Sequence, residues 1–170
     1  MTEHNPYEPP RAVVADAANG QELADLGERL GAAVLDVVIM MAVVLPVMFL
    51  GGYFQAVMET ASRGEQLPLL QQFKWGAIGI VLFYLVQSVP LRASGQTWGK
   101  RVLKIKIVDL DGNQPTFGRL AGLRYLPVQL VNMIPFVGGL IALVDTLMIF
   151  RSDRRCAHDL IAGTRVVKAR

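Results

Sequence analysis

The sequence predicts a mainly helical, polytopic membrane protein: a small bundle of about four transmembrane or re-entrant helices with a short cytoplasmic β-hairpin. Hydrophobic residues make up 52% of the 170 residues and charged residues only 18%, where soluble domains average roughly 45–50% and about 25%. The mean hydropathy is +0.38. The length fits one compact domain and is short for a large multi-repeat transporter. A single cysteine, Cys156, excludes a fold built on internal disulfides.

The first 28 residues are predicted to form a disordered cytoplasmic tail. They contain Pro6, Pro9 and Pro10 and no apolar run, so they cannot bury enough surface to fold. We do not expect a cleaved signal peptide, since its apolar core would follow a basic start at once, whereas the first apolar run begins at Leu30. The membrane domain is therefore predicted to occupy residues 29–170.

Two apolar stretches are predicted to be transmembrane helices. Residues 30–50 contain only one charged side chain, Asp36. At 1.5 Å per residue, this stretch can cross a hydrocarbon core of about 30 Å. A second, shorter stretch covers residues 75–91, and we expect it to cross back.

The region between residues 92 and 117 has a different pattern. Apolar and basic residues alternate with period two from Val102 to Val108, which is typical of a strand. The turn signal at residues 111–113 predicts an interfacial hairpin over residues 102–117, with Lys104 and Lys106 on one face. We expect a short helix and then a strand within residues 153–168, and this strand can join the hairpin.

The apolar region from Tyr125 to Phe150 is too long for one helix and too short for two full crossings. Positive charge decides between these alternatives, because basic residues accumulate on the cytoplasmic side of membrane proteins. A single crossing divides the 17 Lys and Arg residues nine against eight, whereas a segment that enters and returns divides them fifteen against two. We therefore predict helices over residues 117–132 and 137–150, both termini in the cytoplasm, and a location in the bacterial inner membrane.

Two aspartates lie inside the apolar stretches. Asp36 and Asp145 each share a helix stripe with small residues, which predicts that they face other helices and not lipid. Intramembrane carboxylates on such faces are candidates for binding a cation or carrying a proton. The alternative is structural: each aspartate pairs with Arg29, Arg124 or a helix-end amide and holds the bundle in register.

The Gly-Lys pair in the turn at residues 95–101 superficially resembles a phosphate loop. It lacks the glycine four residues earlier and the hydroxyl residue after the lysine. We expect Trp98 to anchor this turn in the membrane interface. The basic residues expected to face anionic headgroups are Lys100, Arg101, Lys104 and Lys106.

His158 and Asp159 are predicted to clamp basic neighbours. The alternatives are a proton relay or half a metal site, but adjacent helical residues point apart, and the other histidine, His4, is in the tail. We expect no enzymatic activity, cofactor or metal, because no nucleophile has an evident base and no metal-ligand spacing occurs. Nucleic-acid binding is not expected either, since orientation in the membrane already explains the basic residues.

Three segments together resemble the RDD family of bacterial membrane proteins, which is named for one arginine and two aspartates. They are an opening at residues 26–36 with Arg29 and Asp36, a centre at residues 95–109, and a closing portion made of Arg124 and residues 158–167. The order and spacing of the segments make the resemblance specific. The second aspartate of the family corresponds to Asp159 or Asp145, and we favour Asp159 because it lies in the better-matched closing motif.

The resemblance implies a membrane-embedded domain and a transport function, with cation/proton antiport as its sharpest form. Asp36 and Asp145 would then exchange protons for small monovalent cations, and Arg29 or Arg124 would tune how they do so. A thin bundle of short helices would favour a homo-oligomer for such transport. The alternative is a non-transporting membrane adaptor or assembly protein that binds a partner or anionic lipid through its basic cytoplasmic face.

Overall fold

Helices dominate the fold, which is known from a computed structural model that describes residues 20–135 and 137–169. Residues 1–19 of the predicted N-terminal tail lie outside these residues. The prediction of a tail is wrong for residues 20–28, because Leu23 pairs with Val167, Ala24 is fully buried and a helix begins at Leu26. The α-helices are α1 (Leu26–Leu50), α2 (Tyr53–Ser62), α3 (Leu69–Ser94), α4 (Trp98–Val102), α5 (Phe117–Arg119), α6 (Leu126–Asn132), α7 (Val137–Leu147) and α8 (Ala157–Ala162). A π-helical segment, Leu120–Tyr125, joins α5 to α6, and a 3₁₀ turn, Met148–Phe150, follows α7. The strands are β1 (Ile105–Asp109) and β2 (Thr164–Lys168).

Two helices, α1 and α3, are long and apolar enough to cross a membrane. With 25 and 26 residues, each is about 38 Å long. They lie where the sequence predicts them. Helix α1 begins four residues before its predicted start and ends as predicted, and α3 extends beyond both predicted ends. Their large apolar side chains point outward: Leu50 and Leu70 are 85% and 82% exposed. Continuous apolar faces of this kind are rare on water-soluble monomers and suit contact with lipid.

The region predicted as a third and a fourth helix is shorter and less regular than α1 and α3. The first half is divided among α5, the π-helical segment and α6, and α7 has only 11 residues, or about 16 Å. The predicted count of four spanning helices is therefore not confirmed. The chain does turn back on itself in this region, because Arg124 before the turn and Asp145 after it contact adjacent residues of α8.

The two strands form an antiparallel sheet in which Ile105 pairs with Lys168 and Asp109 with Thr164. The predicted hairpin over residues 102–117 is wrong, although its turn forms at Asp109, whose carboxylate accepts the amide hydrogen of Asn113 (2.8 Å). Pro115 lies in the proposed return strand and has no N–H to donate to a ladder. The C-terminal strand, rich in β-branched residues, pairs with β1 instead.

The prediction that Lys104 and Lys106 share one face of a strand is also wrong. Lys104 precedes β1 and has a left-handed backbone with φ 54°, so it belongs to the turn after α4. Its carbonyl oxygen accepts the amide hydrogen of Ala169 (2.7 Å), beyond the end of β2. Only Lys106 lies within β1, where it pairs with Val167.

The buried core lies at one end of the molecule, which we call the sheet end. It consists of α4, β1, β2, α8, the first two turns of α1 with the residues just before them, the end of α3 and the start of the π-helical segment. Its apolar members are Ala24, Ala32, Leu91, Ile105, Ile107, Leu120 and Val166. Helix α4 lies so close to α1 that a Cβ atom at Gly99 would overlap the carbonyl oxygen of Ala32. Because the apolar core is concentrated here, the buried charged residues of the sheet end lie among tightly packed side chains.

Candidate functional site

The first polar cluster surrounds the carboxylate of Asp36, in the third turn of α1. Its Oδ1 accepts hydrogen bonds from Gln87 Nε2 (3.0 Å) and from the backbone N–H of Gly99 (2.8 Å). Its Oδ2 accepts one from the hydroxyl of Thr97 (2.5 Å), and Lys100 Nζ lies 4.0 Å away. Asp36 therefore joins α1 to α3 and α4 through donors on three sides.

The local sequence explains why these donors converge. Helix α3 ends at Gly95, which has a left-handed backbone with φ 64°. The chain then turns back, and Thr97 caps α4 by accepting the amide hydrogen of Lys100. Gln87 fixes the turn from the other side, because its Oε1 accepts the amide hydrogen of Trp98 (3.0 Å). The glycine-rich segment is thus a turn that holds a carboxylate, and the sequence did not reveal Gln87 or Thr97 as its partners.

The second cluster is centred on Asp159, which is fully buried at the N-terminal turn of α8. Its Oδ2 accepts a hydrogen bond from Arg29 Nη2 (2.8 Å), and its Oδ1 accepts one from Arg124 Nη1. The hydroxyl of Thr164 donates to Oδ1 (3.2 Å), and the backbone N–H of Cys156 donates to Oδ2 (3.3 Å). We call Arg29, Asp159 and Arg124 the buried triad.

The charges of the triad settle its protonation. Burial by itself would raise the pKa of Asp159, but the positive charge of Arg124, aided by His158 and Arg29, holds that pKa well below its usual 3.8. Asp159 is therefore an ionised carboxylate between two guanidinium groups. Burial raises the pKa of the Cys156 thiol to about 11, so this thiol is neutral and unreactive at physiological pH.

His158 links the triad to α7. Its backbone N–H donates to Asp145 Oδ1 (2.9 Å), its Nδ1 lies 2.7 Å from Asp145 Oδ2, and its Nε2 lies 3.7 Å from Asp159 Oδ2. Burial lowers the pKa of His158 below its usual 6.5, although its hydrogen bond to the Asp145 carboxylate favours a higher pKa. The structure thus gives Asp145 a histidine partner that the sequence did not reveal.

Cys156, His158 and Asp159 have ligand atoms within 4.8 Å of one another, so we asked whether they fit a metal ion. Both oxygens of Asp159 already accept hydrogen bonds from guanidinium groups, whose positive charges repel a cation. The Cys156 thiol, with its pKa of about 11, resists the deprotonation that metal binding requires. The donor set fits an ion-pair network and does not fit a metal site.

The residues predicted to face headgroups do not share one environment. Lys100 is largely buried and turned towards Asp36, whereas Arg101 and Lys104 are exposed. Trp98 donates its indole N–H to the carbonyl oxygen of Val86 (2.9 Å), and the guanidinium of Arg101 lies over its ring at 5.8 Å. Trp98 is therefore fixed against the end of α3.

Replacing Asp159 by Asn should destabilise the protein strongly. Loss of the carboxylate charge leaves two guanidinium groups buried without a counter-ion, which typically costs about 3–5 kcal/mol. The matched control is Asp153→Asn, which weakens a solvent-accessible pair with Arg151 (3.2 Å) worth under about 1 kcal/mol. Thermal unfolding of the detergent-solubilised chain compares them, and equal losses of Tm in the two variants would contradict the importance of the triad.

Stability should fall on acidification in two stages. The depressed pKa of His158 makes the folded state resist protonation, so stability declines as pH drops below the usual histidine value of 6.5. The depressed pKa of Asp159 adds a second loss below the usual aspartate value of 3.8. Tm measured between about pH 8 and 2 tests both stages. In His158→Gln the upper stage should disappear, and an unchanged slope there would count against it.

Sequence comparison relates the chain, with both clusters, to known proteins. The chain matches the sequence model of the RDD family over residues 23–163, which include both clusters. It is 32% identical to an uncharacterized protein of Haemophilus influenzae over 96 residues, which are 55% of this chain and 58% of the relative. It is 41% identical to the uncharacterized protein YckC of Bacillus subtilis over 90 residues, 53% of this chain and 58% of the relative.

The chain thus spans under two thirds of the length of either curated relative, and neither description gives an activity. No solved structure matches the chain. The family match, in contrast, extends over most of the chain and includes Arg29, Arg124 and the clusters around Asp36 and Asp159. The chain therefore belongs to the RDD family and carries its membrane-protein domain.

Proposed function

We propose that this RDD-family protein is a non-transporting membrane adaptor that binds anionic lipid headgroups at its basic sheet end. The observation that carries this proposal is the environment of Asp36, the aspartate within the apolar stretch of α1. A transporter needs a carboxylate that alternately holds and releases its ion. Asp36 is instead held by donors from two other helices.

The chemistry of those donors argues against a cation site. Small monovalent and divalent cations are bound by oxygen ligands. The groups nearest the Asp36 carboxylate are two N–H donors, one O–H donor and the Lys100 ammonium. A cation would have to displace several of them and overcome repulsion from Lys100. This supports the structural reading of Asp36 over the antiport reading.

Asp145 and Asp159 have specific partners as well. Asp145 accepts a hydrogen bond from the backbone N–H of His158 and also contacts its ring. Asp159 lies between the arginines of the buried triad. These pairs connect α7, α8 and α1, so that each has an evident role in holding the helices together. An adaptor needs such fixed pairs merely to keep its shape, and it does not require a homo-oligomer.

Basic residues at the sheet end supply the lipid-binding surface. Seven Lys and Arg residues lie between positions 92 and 124, against two acidic residues. Arg92, Arg101 and Lys104 are exposed there, next to helices whose apolar faces are exposed. Each such residue near an anionic membrane surface contributes about 1 kcal/mol. The same charge bias favours an inner-membrane protein with this end and both termini in the cytoplasm.

The proposal is tested with the purified full chain in liposomes that contain a pH-sensitive dye. Sodium, potassium or lithium should cause no proton movement in wild type or in Asp36→Asn, while an added ionophore shows that the dye responds. The detergent-solubilised chain should gain Tm with phosphatidylglycerol but not with phosphatidylcholine. Cation-dependent proton movement that Asp36→Asn abolishes would refute the adaptor proposal and favour antiport.

Orientation has its own test, which the native cysteine cannot provide because Cys156 is buried. We expect Ser152→Cys, exposed after α7, to react with an impermeant maleimide only after the cells are permeabilised. Ser62→Cys, exposed at the end of α2 between the two long helices, should react in intact cells. Wild type is the unlabelled control. The reverse pattern would place the termini outside.

A further inference from the structure

A cavity of about 370 Å³ lies between the first turns of α1 and the end of α7. This volume is within the range of small-ligand sites, about 300–1,000 Å³. One wall is polar and the other apolar. The residues that define the two walls are Arg29, Lys100, Arg124 and His158 on the polar side and Leu30 and Phe150 on the apolar side.

The apolar side of the cavity opens towards the surface that faces lipid. Leu30 is 63% exposed and Phe150 is 70% exposed, and both continue the outward apolar faces of their helices. The polar wall lies deeper, at the sheet end. A molecule entering from the bilayer would therefore keep its apolar part at the opening and bring its polar part to the cationic wall.

The charge of the polar wall calls for an anion. Arg29, Lys100 and Arg124 are cationic, and none of the described lining residues is acidic. Asp159 lies behind the wall and serves both arginines, and Asp36 lies 4.0 Å from Lys100. Two carboxylates therefore serve three cationic side chains. A buried charge at membrane depth is costly unless it is paired.

Arg124 provides an independent observation in favour of a bound anion. Its side chain is 2% exposed, and its Nε has no hydrogen-bond acceptor in the part of the chain that the structure describes. A buried N–H donor normally has a partner, because leaving it unpaired is costly. A bound anion would supply an acceptor to the wall that Arg124 lines.

We propose that this cavity binds the headgroup of one anionic phospholipid. The phosphate lies against the wall formed by Arg29, Lys100 and Arg124, and the acyl chains leave past Leu30 and Phe150 along the outer face of α1. Arginine suits this ligand because its planar guanidinium matches phosphate oxygens. The inference rests on the proposed function and deepens it by giving the lipid a specific site.

The experiment compares wild type with two pairs of variants of the full chain in a neutral detergent. Ala33→Phe fills the cavity, which Ala33 lines, without changing any charge. Its control, Val37→Phe, places the same ring one turn along α1 on an exposed face outside the cavity. Lys100→Gln removes one charge from the polar wall. Its control, Arg63→Gln, removes an exposed charge at the end of α2, outside the cavity and the sheet end. Arg101→Gln, a variant of the basic surface, is measured beside these pairs.

Native mass spectrometry and Tm are measured with phosphatidylglycerol, with phosphatidylcholine of the same acyl chains, and with inorganic phosphate alone. Wild type should retain one phosphatidylglycerol molecule. Ala33→Phe should lose it, and Lys100→Gln should bind it about fivefold more weakly. Val37→Phe and Arg63→Gln should behave as wild type, and phosphate alone should give no comparable gain in Tm.

Retention of phosphatidylglycerol by Ala33→Phe at the wild-type level would overturn the cavity site, even if Lys100→Gln fails to fold. Equal gains from phosphate alone would overturn the lipid as the ligand. If the cavity variants bind normally while Arg101→Gln loses binding, the basic surface stands and the cavity site fails. If wild type itself shows no preference for phosphatidylglycerol, the proposed function fails.

Discussion

The carboxylate of Asp159, paired with Arg29 and Arg124, is the interaction on which the other parts of the fold depend. The three residues come from distant parts of the chain and meet where almost no solvent reaches. Since each buried guanidinium needs a counter-ion, α1, the π-helical segment and α8 have to meet at one point. Strand β2 follows α8 directly, and its first residue, Thr164, donates to the same carboxylate. The position of the sheet thus follows from the triad.

Asp36 does for α3 and α4 what Asp159 does for α8. Asp36 looks functional in the sequence, because charge inside an apolar stretch is costly and usually serves a purpose. Asp159 lies outside the apolar stretches and is predicted to clamp basic neighbours. In the structure each accepts hydrogen bonds from donors on other elements. The positive charge that exceeds these carboxylates faces the cavity between α1 and α7. We therefore assign the acidic residues to the structure and propose that the basic residues recognise anionic lipid headgroups.

Length and apolar composition are enough to predict α1 and α3, because a membrane span is a property of a single segment. The sequence also predicts that the C-terminal strand can pair with β1, but it predicts the hairpin as well, because a period-two pattern does not say which strand will be the partner. Pro115, which has no N–H to donate, argues against that hairpin. Gln87 as a partner of Asp36, and His158 as a partner of Asp145, lay beyond prediction. These contacts join residues 51 and 13 positions apart, and only the folded chain brings them together.

The most direct test of this account is a double-mutant cycle on the triad, with Arg124→Met, Asp159→Leu and the double variant. Each single variant leaves a buried charge without its partner, whereas the double variant removes both charges of one pair. Tm and the free energy of unfolding should therefore fall less in the double variant than the two single losses would give together. Additive losses would show that Arg124 and Asp159 stabilise the fold independently, and would contradict the central role given to their interaction.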